Sequence, residues 1–341
     1  MAEKMKVIEI QNSFGLDCLR LCDRQIPTPS IGQVLLKLSA ASLNYRDLMV
    51  VQGRYNPKQK LPLIPLSDGV GEIVAVGEGV TRVKVGERVA SIFFQKWLAG
   101  KPSKEVFRST LGSPVDGVLT EYIVLDENGI IPVPQHLSDI EAATLPCAAV
   151  TAWNALITGG NLQAGDTVLL QGTGGVSLFA LQFAKMSGAR VIIISSSDEK
   201  LEKAMKLGAT DGINYKTNPN WEEQVYQLTN GEGVDYVVEV GGAGTLPKSF
   251  RAVSVGGYIS LIGVLTGNTA EVNPLPILNK AVTVQGVYVG SREMFEQMNK
   301  AIAFHGIKPI VDRTFHFTEA REALEYLASG AHFGKICLKF E

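Results

Sequence analysis

The sequence predicts an α/β protein in which a compact β-barrel domain is joined to a doubly wound parallel sheet. Short strand-like runs bounded by glycine and proline fill the first 146 or so residues. Beyond them, apolar strand-like runs alternate with helical spacers, which indicates a parallel sheet covered on both faces. The length of 341 residues agrees with two domains, each large enough for its own core.

The N-terminal part contains several short strands separated by turn residues. Residues 34–38, 69–77 and 88–90 are strand-like runs, and glycine or proline lies beside each of them or in the turn before it. Strands of this length and spacing favour an all-β barrel. Residues 95–117 differ, because their Lys-Pro-Ser-Lys and Gly-Ser-Pro stretches predict an exposed excursion from the barrel.

From Thr144 onward the pattern changes to alternating helices and buried strands. A helix is predicted over 148–157, another after 175 and a third over 198–207, where Gly208 stops it. The predicted buried strands are 166–171, 190–194, 234–240 and 258–263. The boundaries that follow are 1–146 for the barrel domain, 147–290 for the doubly wound domain and 291–341 for a segment that returns to complete the barrel domain.

Composition excludes several classes of protein. Lys+Arg number 32 against 34 Asp+Glu, and the basic residues are scattered, so no dense phosphate-binding surface for nucleic acid is expected. No apolar run approaches the ~18 residues that span a bilayer, and the N-terminus lacks the apolar core of a signal peptide. The four cysteines, Cys18, Cys22, Cys147 and Cys337, are too few for a disulfide scaffold. We therefore expect a cytoplasmic protein with free thiols and no membrane or nucleic-acid partner.

A glycine-rich turn predicts dinucleotide binding. Residues 172–177 read Gly-Thr-Gly-Gly-Val-Ser, between a buried strand and an amphipathic helix, with a second strand about twenty residues on. Such a loop lets backbone N–H groups approach a pyrophosphate at the helix N-terminus. An ordinary glycine turn is the alternative, but the strand and helix around it favour the cofactor. The predicted contacts are Gly172, Thr173, Gly174, Gly175 and Val176.

The end of the second strand bears on the choice of cofactor. NAD-binding proteins usually place a carboxylate there for the ribose 2′-OH, whereas this chain has Ser195, Ser196 and Ser197. Hydroxyls and the nearby Lys200 would attract a 2′-phosphate, so NADP(H) is predicted. Asp198 and Glu199 follow, and their place suits the first turn of a helix. The alternative for Lys200 is a solvated helix lysine.

Together these residues resemble the medium-chain dehydrogenase/reductase superfamily, in particular its zinc-free quinone-oxidoreductase-like branch, which includes zinc-type alcohol dehydrogenase-like proteins. The resemblance covers nearly the whole chain. It implies a GroES-like β-barrel catalytic domain, a Rossmann domain, a nicotinamide bound in the cleft between them and a homodimer, for which residues 281–289 offer an edge strand. Its markers are residues 43–47, 68–74, 145–153, the glycine loop and 213–215.

The same resemblance predicts that no metal is bound. Zinc-dependent relatives have Cys where this chain has Asn44, and His-Glu where it has Ser67-Asp68, which leaves Cys147 as the one matching ligand, although Asp68 could still contribute one carboxylate. A catalytic zinc needs about three protein ligands. Residues 91–117 also lack the four cysteines of a structural zinc lobe.

Without a metal, the acceptor of a hydride must be activated by its own conjugation, as in quinones and α,β-unsaturated carbonyls. The protein then needs to orient the substrate and to donate a hydrogen bond to the developing charge. By matched position, Asn44 is the predicted donor. Tyr45 would stack on a planar substrate or supply a proton, or is a packed aromatic. Asp47 is expected to be structural and paired with Arg46, while Tyr55 lies on a loop that could reach the pocket.

The resemblance also implies further cofactor contacts. Thr151 is expected near the nicotinamide ribose or phosphates, and Lys200 and Tyr215 near the adenosine 2′-phosphate. Backbone approach is expected at the turns after the fourth and fifth strands and at residues 287–290, while residues 333–335 close on the cofactor from the C-terminal segment. These positions are Gly241, Gly242, Gly263, Val264, Leu265, Val289, Gly290, Phe333, Gly334 and Lys335.

The resulting prediction is an NADPH-dependent, zinc-independent reductase of quinones or activated enones. Two alternatives stay open at this point. One is an alcohol or aldehyde dehydrogenase, against which Asn44 and Ser67 argue. The other is a non-catalytic NADPH-binding sensor, because binding and turnover use the same glycine loop.

Overall fold

The structure is a computed structural model that describes residues 3–267, 269 and 271–340. It divides into two compact units. The first unit runs to Val150 and resumes at Gly290, and the second unit is Thr151–Val289.

The elements are numbered along the chain. The strands are β1 (Lys4–Ile10), β2 (Leu19–Gln25), β3 (Gln33–Ser42), β4 (Asp68–Val76), β5 (Arg88–Ser91), β6 (Tyr122–Asp126), β7 (Ile130–Pro132), β8 (Thr167–Gln171), β9 (Arg190–Ser195), β10 (Asp211–Asn214), β11 (Val234–Glu239), β12 (Val253–Leu261), β13 (Thr283–Gly286), β14 (Val311–His316) and β15 (Lys335–Lys339). The α-helices are α1 (Tyr45–Val51), α2 (Lys104–Phe107), α3 (Asp139–Ala142), α4 (Val150–Trp153), α5 (Gly175–Met186), α6 (Asp198–Leu207), α7 (Trp221–Leu228), α8 (Leu246–Ala252), α9 (Leu275–Asn279), α10 (Arg292–His305) and α11 (Ala320–Ser329).

The first unit is built around strand β3. A mostly antiparallel sheet has the order β14-β15-β3-β4-β5-β7, and β6 also pairs with β3. Strand β3 is almost entirely buried, because sheet neighbours and core side chains cover it on all sides. C-terminal strand β15 pairs antiparallel with β3, with Cys337 opposite Ser42. The last segment of the chain therefore completes the sheet that the first segment begins.

One expectation for the first unit, an exposed excursion over 95–117, is only partly confirmed, because residues 98–105 are exposed and others are not. Within residues 95–117, Trp97, Val106 and Leu111 are buried rather than exposed. The Phe94 ring meets those of Trp97 and Phe107 edge-on, with centroids 5.7 and 5.6 Å apart. The lysines and prolines of this segment are indeed exposed, but Trp97 and Phe107 contact Phe94, and Leu111 packs in the main core of the unit. Their spacing follows neither a helical nor a strand period, so the sequence pattern gave no sign of these contacts.

The second unit is a six-stranded parallel sheet in the order β10-β9-β8-β11-β12-β13. This is the strand order of the Rossmann fold, with the first two strands after the glycine loop on one side and the remainder on the other. The predicted fold class, a GroES-like β-barrel domain with a Rossmann domain, is confirmed. Helix α6 spans the predicted 198–207 and ends at Gly208, whose φ is +116°. Among the described residues, no helix is long and apolar enough to cross a membrane.

Candidate functional site

The glycine loop joins β8 to α5 in the second unit. The buried Ser177 hydroxyl donates to the Gln171 carbonyl at 2.7 Å, which ties the first turn of the helix to the end of the strand. A Cβ added at Gly172 or Gly174 would meet no atom within 4 Å, so the loop faces open space. The first N–H groups of a helix have no intrahelical acceptor and attract anions. The loop therefore fits a dinucleotide pyrophosphate.

The predicted 2′-phosphate residues lie at the ends of two adjacent strands, β9 and β10. The Tyr215 N–H donates to the Ser195 carbonyl at 3.0 Å, so these two predicted contacts are adjacent. Ser197 caps α6 by accepting the Lys200 N–H at 3.4 Å. Asp198 accepts the Asn214 side-chain amide at 2.7 Å, and it lies in the first turn of α6, as expected. Its carboxylate is thus held by a side chain of the protein.

A buried carboxylate that sequence reasoning missed organises the turn after the fourth strand. One oxygen of Glu239 accepts the N–H groups of Gly241 and Gly242 at 2.8 and 2.9 Å and the Thr245 hydroxyl at 2.5 Å. The other oxygen accepts the Gln171 amide at 2.7 Å and the Ser249 hydroxyl. We call Glu239, Gln171, Thr245 and Ser249 the Glu239 cluster. It fixes two predicted contacts, Gly241 and Gly242, relative to the strand that carries the glycine loop.

Val289, at the end of the second unit, has an unusual backbone conformation. Its φ is +55° although its side chain is β-branched and buried, a combination that is a genuine outlier. The Asn154 side-chain amide donates to its carbonyl at 2.7 Å and holds it there. Backbone strain of this kind concentrates at ligand sites. The predicted cofactor contact Val289 therefore carries a structural signal independent of the sequence motif.

The remaining predicted contacts of the second unit differ in burial. Thr151 is buried, whereas Val264 and Leu265 are 44% and 49% exposed. Gly263 lies directly against the neighbouring strand, because a Cβ there would be 2.3 Å from the Val240 carbonyl oxygen. Any side chain at this position would displace the turn that presents the two exposed residues.

In the first unit, Asn44 and Lys335 form a buried contact. Asn44 is the N-cap residue of α1 and is 9% exposed, and Lys335 at the start of β15 is 3% exposed. The Lys335 ammonium donates to Asn44 Oδ1 and to the Leu43 carbonyl, both at 2.6 Å. Asn44 Nδ2 is buried and has no hydrogen-bond partner in the described part of the chain. A buried donor without an acceptor costs free energy, and native proteins contain few such groups.

The preceding residues of the C-terminal segment place this lysine. Gly334 has φ +91°, and a Cβ there would be 2.4 Å from the Ile310 carbonyl oxygen. Phe333 is buried beside it. The Lys335 N–H then donates to the same Ile310 carbonyl at 2.9 Å. A side chain at position 334 would move the lysine away from Asn44.

Two further charges lie next to this contact. The buried Asp47 accepts the Asn44 N–H at 2.8 Å, and its other oxygen lies 3.2 Å from the Arg46 guanidinium, so the predicted Arg46–Asp47 pair is confirmed. Burial raises the pKa of Asp47 to about 6, although Arg46 opposes that shift. Arg46 also lies 4.8 Å from the ring centroid of Tyr55, whose pKa is raised by burial. We call Lys335, Asn44, Arg46 and Asp47 the Lys335 cluster.

The residues at the zinc-ligand positions of related enzymes make a different set of contacts here. Asp68 is fully buried and accepts the Ser67 hydroxyl at 2.6 Å and the Cys147 N–H at 3.1 Å. Burial, followed by the nearby Asp68 charge, raises the pKa of the Cys147 thiol, which disfavours the thiolate that zinc requires. Asn44 Oδ1 already accepts a hydrogen bond from the Lys335 ammonium, so it is not free to bind a metal ion. This donor set does not fit a catalytic zinc, which needs about three protein ligands.

Tyr45, the second predicted catalytic residue, begins α1 next to Asn44. Its side chain is 36% exposed, so it is not a fully packed aromatic. Both the ring face and the hydroxyl of such a residue can meet a ligand. Stacking and proton supply therefore both stay open for Tyr45.

The fold and the loop are typical of one class of protein, the dinucleotide-dependent oxidoreductases: the second unit is a Rossmann sheet for a dinucleotide, and the first unit carries buried polar groups. Comparisons with known proteins agree with this class. Residues 175–303 match the family model of zinc-binding dehydrogenases, and residues 30–135 match that of alcohol dehydrogenase GroES-like domains. The chain belongs to the medium-chain dehydrogenase/reductase superfamily.

Relatives named for several different activities align along almost the whole chain. A zinc-type alcohol dehydrogenase-like protein of Schizosaccharomyces pombe is 45% identical over 96% of both chains. Acryloyl-coenzyme A reductase of Metallosphaera sedula is 30% identical over 92% of this chain and 94% of its own. Quinone oxidoreductase of Rattus norvegicus is 27% identical over 98% and 97%. These names share oxidoreductase chemistry and differ in substrate.

Solved structures are similar over the same extent. A protein of Sinorhizobium meliloti 1021 described as an alcohol dehydrogenase has a TM-score of 0.92, 41% identity and full coverage of both chains. Mycobacterial Rv1454c, solved in complex with NADPH, has a TM-score of 0.82 and 26% identity over 98% of this chain and 99% of its own.

Proposed function

We propose that the protein is an NADPH-dependent, zinc-independent reductase of quinones and α,β-unsaturated carbonyl compounds. The observation that carries this proposal is the unpaired, buried amide donor of Asn44 at a position where a zinc ligand would otherwise stand. An amide donor stabilises developing negative charge on a substrate oxygen without a metal. Two relatives, named acryloyl-coenzyme A reductase and quinone oxidoreductase, support this substrate class.

The choice of NADPH depends on the residues at the ends of β9 and β10. Ser195, Ser196, Ser197, Lys200 and Tyr215 carry the proposed 2′-phosphate site, and the Tyr215–Ser195 backbone bond brings its two sides together. The open space at Gly172 and Gly174 receives the pyrophosphate in this proposal. The NADPH complex of mycobacterial Rv1454c supports the same cofactor.

In the proposed mechanism, NADPH supplies a hydride when it is bound, and the conjugated substrate accepts it. Asn44 Nδ2 donates a hydrogen bond to the substrate oxygen on which negative charge develops. Tyr45 stacks on the planar substrate or donates the proton that completes the reduction. Conjugation spreads the charge over several atoms, so one neutral donor is a reasonable replacement for a metal ion.

The experiment that tests the function is NADPH oxidation with 9,10-phenanthrenequinone, 1,4-benzoquinone and a panel of small enones. We expect turnover with NADPH, a higher KM for NADH, and activity that survives mild chelation. Stoichiometric zinc after chelation, or metal-dependent oxidation of ethanol, would favour an alcohol dehydrogenase instead. Tight NADPH binding with no turnover on any of these substrates would favour a sensor.

Asn44→Ala and Tyr45→Phe divide the proposed roles. We expect Asn44→Ala to lower kcat about a hundredfold, because an oxyanion donor typically contributes ~10²–10³. Tyr45→Phe keeps the ring and removes the hydroxyl. Unchanged activity in Tyr45→Phe would assign Tyr45 to stacking, and a large fall in kcat would assign it to proton supply.

We also propose a cytoplasmic homodimer. Strand β13 (Thr283–Gly286) lies at the edge of the parallel sheet and is mostly exposed, which leaves its outer hydrogen-bonding groups available for a second copy. The four cysteines are free thiols, as in a reducing compartment. Light scattering behind size-exclusion chromatography tests the dimer, and a mass of 36.7 kDa, that of one chain, would reject it.

A further inference from the structure

We infer that Lys335 is a positioning residue that fixes the orientation of the Asn44 side-chain amide so that Nδ2, and not Oδ1, faces the substrate. This inference rests on the proposed function for its catalytic consequence. The contact itself is a property of the protein alone and has its own test.

The chemistry of the two side chains determines the orientation. An asparagine amide has a donor end and an acceptor end that differ little in shape, so either end can point toward a ligand. A lysine ammonium carries three donors and no acceptor. It can meet Oδ1 but never Nδ2, and the observed contact at 2.6 Å is to Oδ1. The lysine therefore permits one of the two orientations and excludes the other.

The backbone keeps the lysine from moving away. Its ammonium also donates to the Leu43 carbonyl at 2.6 Å, and the Leu43 N–H donates to the Ile336 carbonyl at 2.9 Å. Asn44 and Lys335 thus lie at the junction between β3 and β15, in two segments bonded to each other. The Asn44 backbone is held on its other side by Asp47. Neither partner has room to adjust independently.

The charges around the contact make a buried ammonium tolerable. Lys335 and Arg46 carry two positive charges, and the buried Asp47 and Asp68 carry two negative ones. These four side chains together have no net charge. A charge-assisted hydrogen bond to Oδ1 also polarises the amide and strengthens Nδ2 as a donor.

This placement differs from the role implied by family resemblance, in which Lys335 closes on the cofactor. The two roles predict different kinetics. A cofactor contact would weaken NADPH binding when it is removed. A positioning contact would leave NADPH binding unchanged and lower kcat through Asn44.

The test compares Lys335→Met with Lys339→Met, an exposed lysine on the same strand. In Lys335→Met we expect kcat with 1,4-benzoquinone to fall about tenfold or more, as for a misplaced catalytic group, while the Kd for NADPH stays within about twofold. Lys339→Met should match the wild type in both. A raised Kd for NADPH with kcat unchanged would overturn the inference in favour of a cofactor contact.

A double variant shows whether the lysine acts through Asn44. If it does, adding Lys335→Met to Asn44→Ala lowers kcat no further, because there is no amide left to orient. If the double variant loses kcat by the product of the two single-variant factors, the inference is contradicted. Lys335→Gln guards against misfolding: glutamine can satisfy either orientation of the amide, so it should keep the fold but lose part of the kcat.

A readout without turnover separates this inference from the proposed function. The protein without cofactor is labelled with ¹⁵N-asparagine, and its NMR spectrum is recorded. The side-chain NH₂ signals of Asn44 are assigned by their absence in Asn44→Ala. They should shift in Lys335→Met and stay in place in Lys339→Met. Unmoved signals in Lys335→Met would reject the contact. If the signals move but the wild type reduces no quinone or enone, the contact stands and the proposed function fails.

Discussion

The Glu239 cluster of the second unit and the Lys335 cluster of the first unit are both buried and polar, but they differ in how completely they are hydrogen-bonded. Each oxygen of Glu239 accepts at least two bonds, and every donor is a neutral group of the same unit. The Lys335 cluster contains four groups of which three are ionisable, and the Asn44 amide has an unpaired donor.

This difference in hydrogen bonding distinguishes a structural network from a site that can contact a reacting molecule. A buried network whose members are all satisfied rigidifies its surroundings and has nothing left to offer a ligand. A buried donor without a partner costs free energy, and native proteins keep such groups few. We therefore assign the Glu239 cluster to holding a cofactor turn in place, and the Lys335 cluster to contact with a reacting molecule.

The largest effect is expected when the framework carboxylate is removed. Glu239→Ala would remove one acceptor from five donors, and the Gly242 N–H and the Ser249 hydroxyl have no other acceptor in the described part of the chain. At ~1–3 kcal/mol for each unsatisfied buried group, with the weakened bonds of the other three donors added, the loss should cost about 3–5 kcal/mol of unfolding free energy. Urea unfolding of the variant measures this, with Glu232→Ala, an exposed glutamate of the same unit, as the control. A cost below about 1 kcal/mol would mean that the network is not the framework described here.

A somewhat smaller effect is expected from the pH dependence of the Lys335 cluster. Burial raises the pKa of Asp47 from 3.8 to about 6, so the folded state binds this proton more tightly than the unfolded state. The stability that this group contributes is complete below about pH 4 and is lost as the pH rises through 6, by about 3 kcal/mol. In Asp47→Asn this part of the pH dependence should vanish.

Urea unfolding between pH 4 and pH 7 measures the Asp47 effect, with the exposed Asp17→Asn as the matched control. The same slope in wild type and in Asp47→Asn would show that the carboxylate is solvated or neutralised more completely than its burial implies. The contrast between the two clusters would then rest on the unpaired Asn44 donor alone and not on a buried charge.

Much of the fold follows from local sequence signals, and the second unit shows why. The glycine loop, the strands on either side of it and the end of α6 at Gly208 each depend on neighbouring residues, and the structure has them where the pattern predicts. Residues 95–117 were only partly predicted, because the contacts of Trp97 and Phe107 with Phe94 have no regular spacing in the sequence.

The site was less predictable because its contacts join distant parts of the chain. Asn44 and Lys335 are 291 positions apart, and they meet only because β15 pairs with β3. Glu239 and Gln171 are 68 positions apart and meet because β11 lies beside β8. Sequence patterns identify strands but not which strands pair. A buried glutamate at the end of a hydrophobic strand was the one available signal for the Glu239 cluster.

The smallest effect on stability, and the sharpest on binding, is expected at Gly174. It has φ −80° and ψ −178°, which alanine adopts freely, and its Cβ would point into open space. Gly174→Ala should therefore fold with little loss of stability but weaken NADPH about tenfold, or ~1.4 kcal/mol, because the methyl group occupies the space of the pyrophosphate. Gly212→Ala is the control, since its methyl group would meet Leu201 of the same unit. Fluorescence titration with NADPH and thermal unfolding of both variants measure the two quantities. If Gly174→Ala binds NADPH as the wild type does, the open face of the loop is not where the cofactor lies, and the second unit then holds a framework for some other ligand.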